Sequence, residues 1–281
     1  MDAAATPPDW LGSCRRIAGE LRAMLERYPT PEERSVELGR GAGGDLTLRV
    51  DAEAERAIFA ELEQLHAQGH EFTVISEERG EVSYGVGELR VVVDPIDGSL
   101  NAKRGLSPYA VSIAVAEGPT MADVTFGYVY DFGLGEEWTA TRGQGAALNQ
   151  LPLAGAGAER RTAEGRLELV ALESARPEWL ADGIADFIGV AHRIRAYGSI
   201  AYSLCQLAAC RVDAMATLAQ ARSVDAAAAQ LILRESGGQV AFTAENEPLA
   251  MGLGLDARSP IIAARSTAAL AELAGRGALR S

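Results

Sequence analysis

Two carboxylates three residues apart close an apolar run in this chain, and a glycine and a hydroxyl follow at once. The run is Val91-Val92-Val93-Asp94-Pro95-Ile96-Asp97-Gly98-Ser99. A carboxylate at the end of a buried strand is costly unless something positive compensates it. A divalent cation is the natural compensator, and Gly98-Ser99 would turn backbone N–H groups toward an anion. Cation and anion side by side suggest phosphate chemistry. Taken alone, Asp-Pro and Asp-Gly pairs also serve as plain turns.

Three further acidic signals shift that balance. Glu77-Glu78 follows Phe72-Thr73-Val74-Ile75-Ser76, again at the end of an apolar strand. Asp45 and Asp51 flank Thr47, and Asp51 by itself reads as a helix N-cap. Asp225, in Arg222-Ser223-Val224-Asp225-Ala226-Ala227-Ala228, has the same look before an apolar helix. In order and spacing the set resembles the inositol monophosphatase family. Gly44-Asp45-x-Thr47-x-x-Val50-Asp51, Glu77-Glu78, Asp94-Pro95-Ile96-Asp97-Gly98-Ser99-Leu100-Asn101, Tyr197-Gly198-Ser199-Ile200-Ala201, Val224-Asp225-x-Ala227-Ala228 and Glu235-Ser236-Gly237-Gly238 carry the likeness. It spans residues 10–265.

That resemblance implies a magnesium-dependent, lithium-sensitive phosphomonoesterase with a layered α-β-α-β-α fold, usually a homodimer. It implies metal ligands at Glu77, Asp94, the Ile96 carbonyl, Asp97 and Asp225. Two or three Mg²⁺ ions are expected, with Mn²⁺ as a substitute, since hard cations take oxygen ligands. Glu77 and Ser99, the latter linked to Asp51, would orient and deprotonate the attacking water. The N–H groups of Gly98 and Ser99 would hold the phosphate. Arg40 stands in the Gly39–Gly44 loop where the family often has Lys, and Glu78 and Asp45 would support a third ion.

Substrate is the weaker part of the likeness. Leu218 falls near the position where animal members carry a Glu that grips inositol, and Val224 where the family usually has Trp. The stretches Ser99–Tyr109 and Phe126–Tyr130 are similar to archaeal-type members, which often hydrolyse both inositol phosphates and fructose 1,6-bisphosphate. Arg193, Arg195 and Arg222 are candidates for a second phosphate, because Arg binds phosphate bidentately. Tyr197, Gly198, Ser199 and Ile200 are candidates for the sugar pocket. The alternatives are a nucleoside 3′,5′-bisphosphate or histidinol phosphate as substrate, or a non-catalytic member that binds RNA or protein. An aspartyl-phosphate mechanism needs its two aspartates separated by a single residue, and here two residues separate them.

The elements that must position these residues follow from periodicity. A helix is predicted over 10–28, a Gly-rich mobile loop over 38–44, and a second helix from Asp51 to near Gly69. Strands at 72–75, 89–93, 109–116, 124–130 and 136–140 suggest an antiparallel or mixed sheet. After a surface connection at 154–165, strands at 167–171, 192–196, 212–217, 238–241 and 260–264 alternate with helices at 177–187, 199–209, 225–235 and 267–273. This is an α/β layered pattern, expected as two lobes, 1–153 and 154–281, of one structural unit.

Composition agrees. Apolar residues are 48% of 281, enough for a proper core. The 26 basic and 39 acidic side chains leave a net charge of −13, which disfavours nucleic acid as main partner but not a small phosphorylated substrate met through metal ions. Cys14, Cys205 and Cys210 form an odd set without CxxC spacing, which points to reduced thiols in a cytoplasmic protein. No secretory signal is read at the N-terminus and no run is long enough for a membrane span.

Overall fold

Alternation within single strands explains how the layers stack. Val91 and Val93 face one core and Val92 faces another, as a period of two requires. The computed structural model describes residues 7–40, 42, 46–155 and 157–275. In chain order the first half holds α1 (Trp10–Glu26), α2 (Pro31–Arg34), β1 (Glu37–Arg40), β2 (Leu46–Leu48), α3 (Arg49–Ala67), β3 (Phe72–Ser76), β4 (Gly80–Tyr84), β5 (Arg90–Asp97), α4 (Ser99–Arg104), β6 (Ala110–Ala116), β7 (Val124–Asp131), β8 (Glu136–Thr141), β9 (Gly145–Leu148) and β10 (Leu151–Pro152). Strands β3 to β10 form one mixed sheet in the order β10-β9-β8-β7-β6-β5-β3-β4, parallel only between β3 and β5.

The second half holds β11 (Leu167–Glu173), α5 (Pro177–Gly183), β12 (Ala191–Arg195), α6 (Ile200–Ala208), β13 (Ala214–Thr217), β14 (Ala221–Arg222), α7 (Ser223–Glu235), β15 (Gln239–Phe242), β16 (Arg258–Ser259), β17 (Ile261–Ala264) and α8 (Thr267–Ala274). Five of these strands make a second sheet, β12-β11-β13-β17-β15.

Three apolar cores separate five layers. Leu21, Ile58 and Leu62 of α1 and α3 pack on Val74, Val91 and Val93. Leu204 and Leu231 of α6 and α7 lie between Val92, Ala114 and Trp138 of the large sheet and Met215 and Ala263 of the small one. Leu172, Ala214 and Ile262 face outward toward Phe187 and Leu273. The order is therefore α-β-α-β-α, as the family resemblance implies. No helix of the described residues is long and apolar enough to cross a membrane.

Some local expectations are corrected. Residues 38–40 of the Gly-rich segment belong to strand β1, paired antiparallel with β2, and are not loop. Strands β4 and β9 carry no apolar run and were not expected. The helix predicted over 177–187 ends at Gly183 and continues as a 3₁₀ turn, Ile184–Phe187. Helices α3 and α7 each begin two residues before the acidic residue expected to cap them, because the carboxylate reaches back to the cap rather than forming it.

Helix α7 sits unusually close to the sheet. Its buried Ala226, Ala227, Ala228 and Ala229 present almost no side-chain bulk, and a Cβ on Gly127 of β7 would lie 2.6 Å from the Ala228 carbonyl oxygen. Backbone meets backbone here, so the small residues are required. Gly127→Ala is expected to destabilise by about 1–3 kcal/mol through overpacking. Gly19→Ala, in α1 with open space around it, is expected to stabilise by roughly 0.5–1 kcal/mol. Urea midpoints of the two variants would check the contrast, and equal shifts would refute the close seat.

Candidate active site

Strand polarity brings the acidic residues together. β3 and β5 run parallel, with Ser76 opposite Val93, so Glu77 and Asp94 emerge at the same sheet end. Helices α3 and α7 start there too, carrying Asp51 and Asp225. Oxygens of Glu77, Asp94 and Asp225 all lie within 4.8 Å of one another, and the three residues are buried. Three hard oxygen donors at this spacing suit Mg²⁺ or Mn²⁺.

The carboxylates are held by specific donors. Asp94 Oδ1 accepts the Ile96 N–H at 3.1 Å. Asp225 Oδ2 accepts the Arg222 N–H at 2.9 Å. The Arg222 guanidinium lies 2.5 Å from Glu77 Oε1 and 3.4 Å from Asp225 Oδ1. Asp97 stands beside the trio at the head of α6. It accepts the Ser199 hydroxyl at 2.6 Å and the N–H groups of Ala201 at 2.6 Å and Ile200 at 3.4 Å. Asp51 Oδ2 accepts the Leu48 N–H at 3.1 Å, whereas its Oδ1 is buried with no hydrogen-bond partner among the described residues.

Burial dominates the electrostatics. It pushes Glu77 up to about 8, opposed by Arg222 and reinforced by Asp225 and Glu78. It pushes Asp97 up to about 7, with the Asp225 charge adding to it. Asp51 is pushed up to about 7, by burial first and by Glu78 in small part. Asp94 is raised well above the ordinary carboxylate range by burial and by the charges of Glu77 and Asp97. Asp225 is raised by burial against the pull of Arg222. Removing water from several like charges makes each harder to ionise until a cation arrives.

A cleft of about 450 Å³ opens beside the carboxylates, lined among others by Asp97, Gly98, Ser99, Tyr197, Arg222 and Asp225. Gly98 has φ +95°, and a Cβ there would lie 3.1 Å from the Gly198 carbonyl oxygen, so glycine is required at that turn.

Family comparison agrees with this architecture. A sequence model described as the inositol monophosphatase family matches residues 13–276. The chain belongs to that family. It is similar to a fructose-1,6-bisphosphatase/inositol-1-monophosphatase of Methanothermobacter thermautotrophicus, 32% identical over 266 residues and 91% of each chain. It is also similar to the Nus factor SuhB of Escherichia coli K12, 34% identical over 233 residues and 80% of each chain. In fold it matches a crystal structure described as an inositol monophosphatase–fructose 1,6-bisphosphatase, with a TM-score of 0.80 and 24% identity over 95% of this chain and 98% of that one.

Within this inositol monophosphatase-family chain, not every residue singled out in the sequence reaches the site. Gly98, Ser99, Tyr197, Gly198, Ser199 and Ile200 line the cleft. Arg193 and Arg195 do not. They lie on the edge strand β12 with their guanidinium groups on the carbonyls of His192 and Ile194. Arg222 lines the cleft but is engaged with two carboxylates rather than pointing at open space. Leu218 packs on the outer core and is not a cleft residue. The Glu78 carbonyl accepts the Ala42 N–H at 2.9 Å. Arg40 ends β1, its side chain not described, and Asp45 lies outside the described residues.

Sequence reasoning missed several lining residues. Glu173 ends an apolar strand as Ser76-Glu77 does, and that signal was available. It is buried and accepts the N–H groups of Tyr197 at 2.9 Å and Gly198 at 2.8 Å and the Ser203 hydroxyl at 2.6 Å. Asn101 Nδ2 donates to the carbonyls of Pro108 at 2.8 Å and Tyr197 at 2.7 Å. Ser174, Arg176 and Trp179 form the far wall, with the Arg176 guanidinium 4.6 Å above the Trp179 ring. These polar residues sit in a loop and a short helix, where no periodicity marks them.

The raised carboxylates set a pH dependence. Each of these groups binds its proton more tightly in the folded chain than in the unfolded one. From the ordinary carboxylate range up to about 8 the folded state holds more protons, so stability falls as pH rises. A bound divalent cation favours the ionised forms and opposes that loss. In chelator, the melting temperature is expected to fall between about pH 5 and about pH 8.5, and added Mg²⁺ is expected to flatten the slope. A melting temperature that rises across this interval in chelator would contradict the assignment.

Proposed function

We propose that this chain is a metal-dependent phosphomonoesterase acting on a small phosphorylated polyol or sugar, with inositol 1-phosphate and fructose 1,6-bisphosphate as the leading substrates. The observation that carries this reading is the convergence of Glu77, Asp94 and Asp225 beside a cleft that Asp225 and Asp97 line, in a chain of this family. Glu77, Asp94, the Ile96 carbonyl, Asp97 and Asp225 would hold two or three Mg²⁺ ions. When bound, such ions neutralise phosphate charge and lower the pKa of water.

The chain's own residues do the rest. Asp51 has a buried, unpartnered oxygen and ionises near neutral pH. Ser99, at the cleft wall, would orient the attacking water, but it makes no hydrogen bond to Asp51 among the described residues, so the Ser99–Asp51 link expected from the sequence is not formed in this structure. Glu77 orients that water from the other side. The N–H groups of Gly98 and Ser99 hold the phosphate oxygens in line for displacement. Arg222, already set against Glu77 and Asp225, fixes their mutual orientation.

The far wall bears on which alcohol leaves. Arg176 is stacked on Trp179 across the cleft, which suits a substrate with a second anionic group better than a neutral ring. The likeness to Nus factor SuhB favours a second reading, in which the chain acts by binding RNA or protein. The net charge of −13 speaks against RNA as the direct partner.

The test is phosphate release with Mg²⁺ from inositol 1-phosphate, fructose 1,6-bisphosphate, histidinol phosphate and adenosine 3′,5′-bisphosphate. Asp94→Asn is expected to lower kcat/KM by about 100-fold or more on the best substrate. Arg176→Ala is expected to raise KM for fructose 1,6-bisphosphate about tenfold more than for inositol 1-phosphate. No Mg²⁺-dependent turnover on any of the four, or near-normal activity of Asp94→Asn, would sink the proposal.

A further inference from the structure

Glu55 lies on α3 one turn beyond Asp51, and it is 4% exposed. Its carboxylate straddles the turn that presents Glu77. Oε1 accepts the Ser76 hydroxyl at 2.5 Å and the Arg79 N–H at 2.9 Å. Oε2 lies 3.4 Å from Arg79 Nε. Ser76 pairs with Gly80 across β3 and β4, so Glu77, Glu78 and Arg79 are the whole loop of this hairpin. Glu55 therefore grips the residue before Glu77 and the residue two after it.

The same helix face holds the outer end of the grip. The Arg79 guanidinium lies 4.2 Å above the ring of Phe59, one further turn along α3. Asp51, Glu55 and Phe59 recur at a spacing of four, so they share one side of the helix. A buried carboxylate is expensive unless its oxygens find donors, and among the described residues Glu55 meets them only at Ser76 and Arg79, on either side of Glu77 and Glu78. A position that served the core alone would be filled at less cost by an apolar side chain.

We propose that Glu55 is the positioning residue for Glu77, locking the 76–79 hairpin loop so that the Glu77 carboxylate faces Asp94 and Asp225. This rests on the reading of Glu77 as a metal ligand. A three-residue loop pinned at its ends still has several turn conformations open to it. Glu55 removes that freedom from outside the ligand set, and outer groups of this kind change metal affinity by about 10- to 100-fold.

The test is calorimetric titration of the full chain with MnCl₂, which needs no turnover. Glu55→Ala is expected to raise the Mn²⁺ Kd about tenfold or more, whereas Glu55→Gln, which keeps an oxygen acceptor, stays within about threefold of wild type. Ser76→Ala removes one gripped hydroxyl and no ligand, and is expected to weaken binding in the same direction by less. A purely structural role would lower the melting temperature in chelator and leave the Kd alone. The proposal is overturned if Glu77→Gln weakens binding but Glu55→Ala does not. Equal Kd values for wild type and Glu77→Gln would instead remove the metal-ligand reading beneath it. Should Glu55→Ala fail to fold, an unchanged Kd in Ser76→Ala overturns the proposal.

Discussion

Like charges forced into a dry place are the constraint around which this structure is organised. Glu77, Asp94, Asp97 and Asp225 are all buried at one sheet end, and burial alone resists their ionisation. The fold tolerates them by surrounding each with donors rather than by spacing them apart. Arg222 supplies a fixed positive charge between two of them. What remains unbalanced is the field that would attract a divalent cation, and the cleft beside it is where a phosphate ester would meet that field.

Helix N-termini do much of this compensation. Asp97 sits at the head of α6, and Asp51 and Asp225 lie in the first turns of α3 and α7. Each helix turns its unpaired N–H groups and the positive end of its dipole toward a carboxylate. The same feature explains why Asp51 and Asp225 look like caps in the sequence. A carboxylate two residues inside a helix accepts the N–H of the residue before it, so the acidic signal survives while the helix start moves.

The layered fold and the acidic set were legible because both rest on strong local patterns. Val91–Val93 and Ala226–Ala229 carry their burial in their composition, and Asp94 and Asp97 interrupt an apolar run where only function rewards it. The far wall of the cleft was not legible. Arg176 and Trp179 lie in a polar loop and a short helix, and only the tertiary path of β11 carries them to the cleft. Arg193 and Arg195 show the converse, being exposed and outside the lining of the cleft. Their residue type suited a phosphate, but alternation along an edge strand turned them to solvent. Strand β4 escaped notice because its residues alternate around Glu81 and Ser83 with no apolar run to mark it.

The seat of α7 against Gly127 has a consequence for the order in which the molecule takes shape. Both Arg222 and Asp225 arrive with that helix, and they come from the far end of the chain relative to Asp51, Glu77 and Asp94. While the chain is being made, the first half has its carboxylates but not the guanidinium that sits among them. The face of the large sheet that α7 covers is likewise bare until then. The nascent first half thus carries both an uncompensated charge and an uncovered apolar surface, and a single docking event removes the two together. The acidic cluster gains its last carboxylate and its guanidinium as the large sheet gains the cover of α7, which ties formation of the site to that docking.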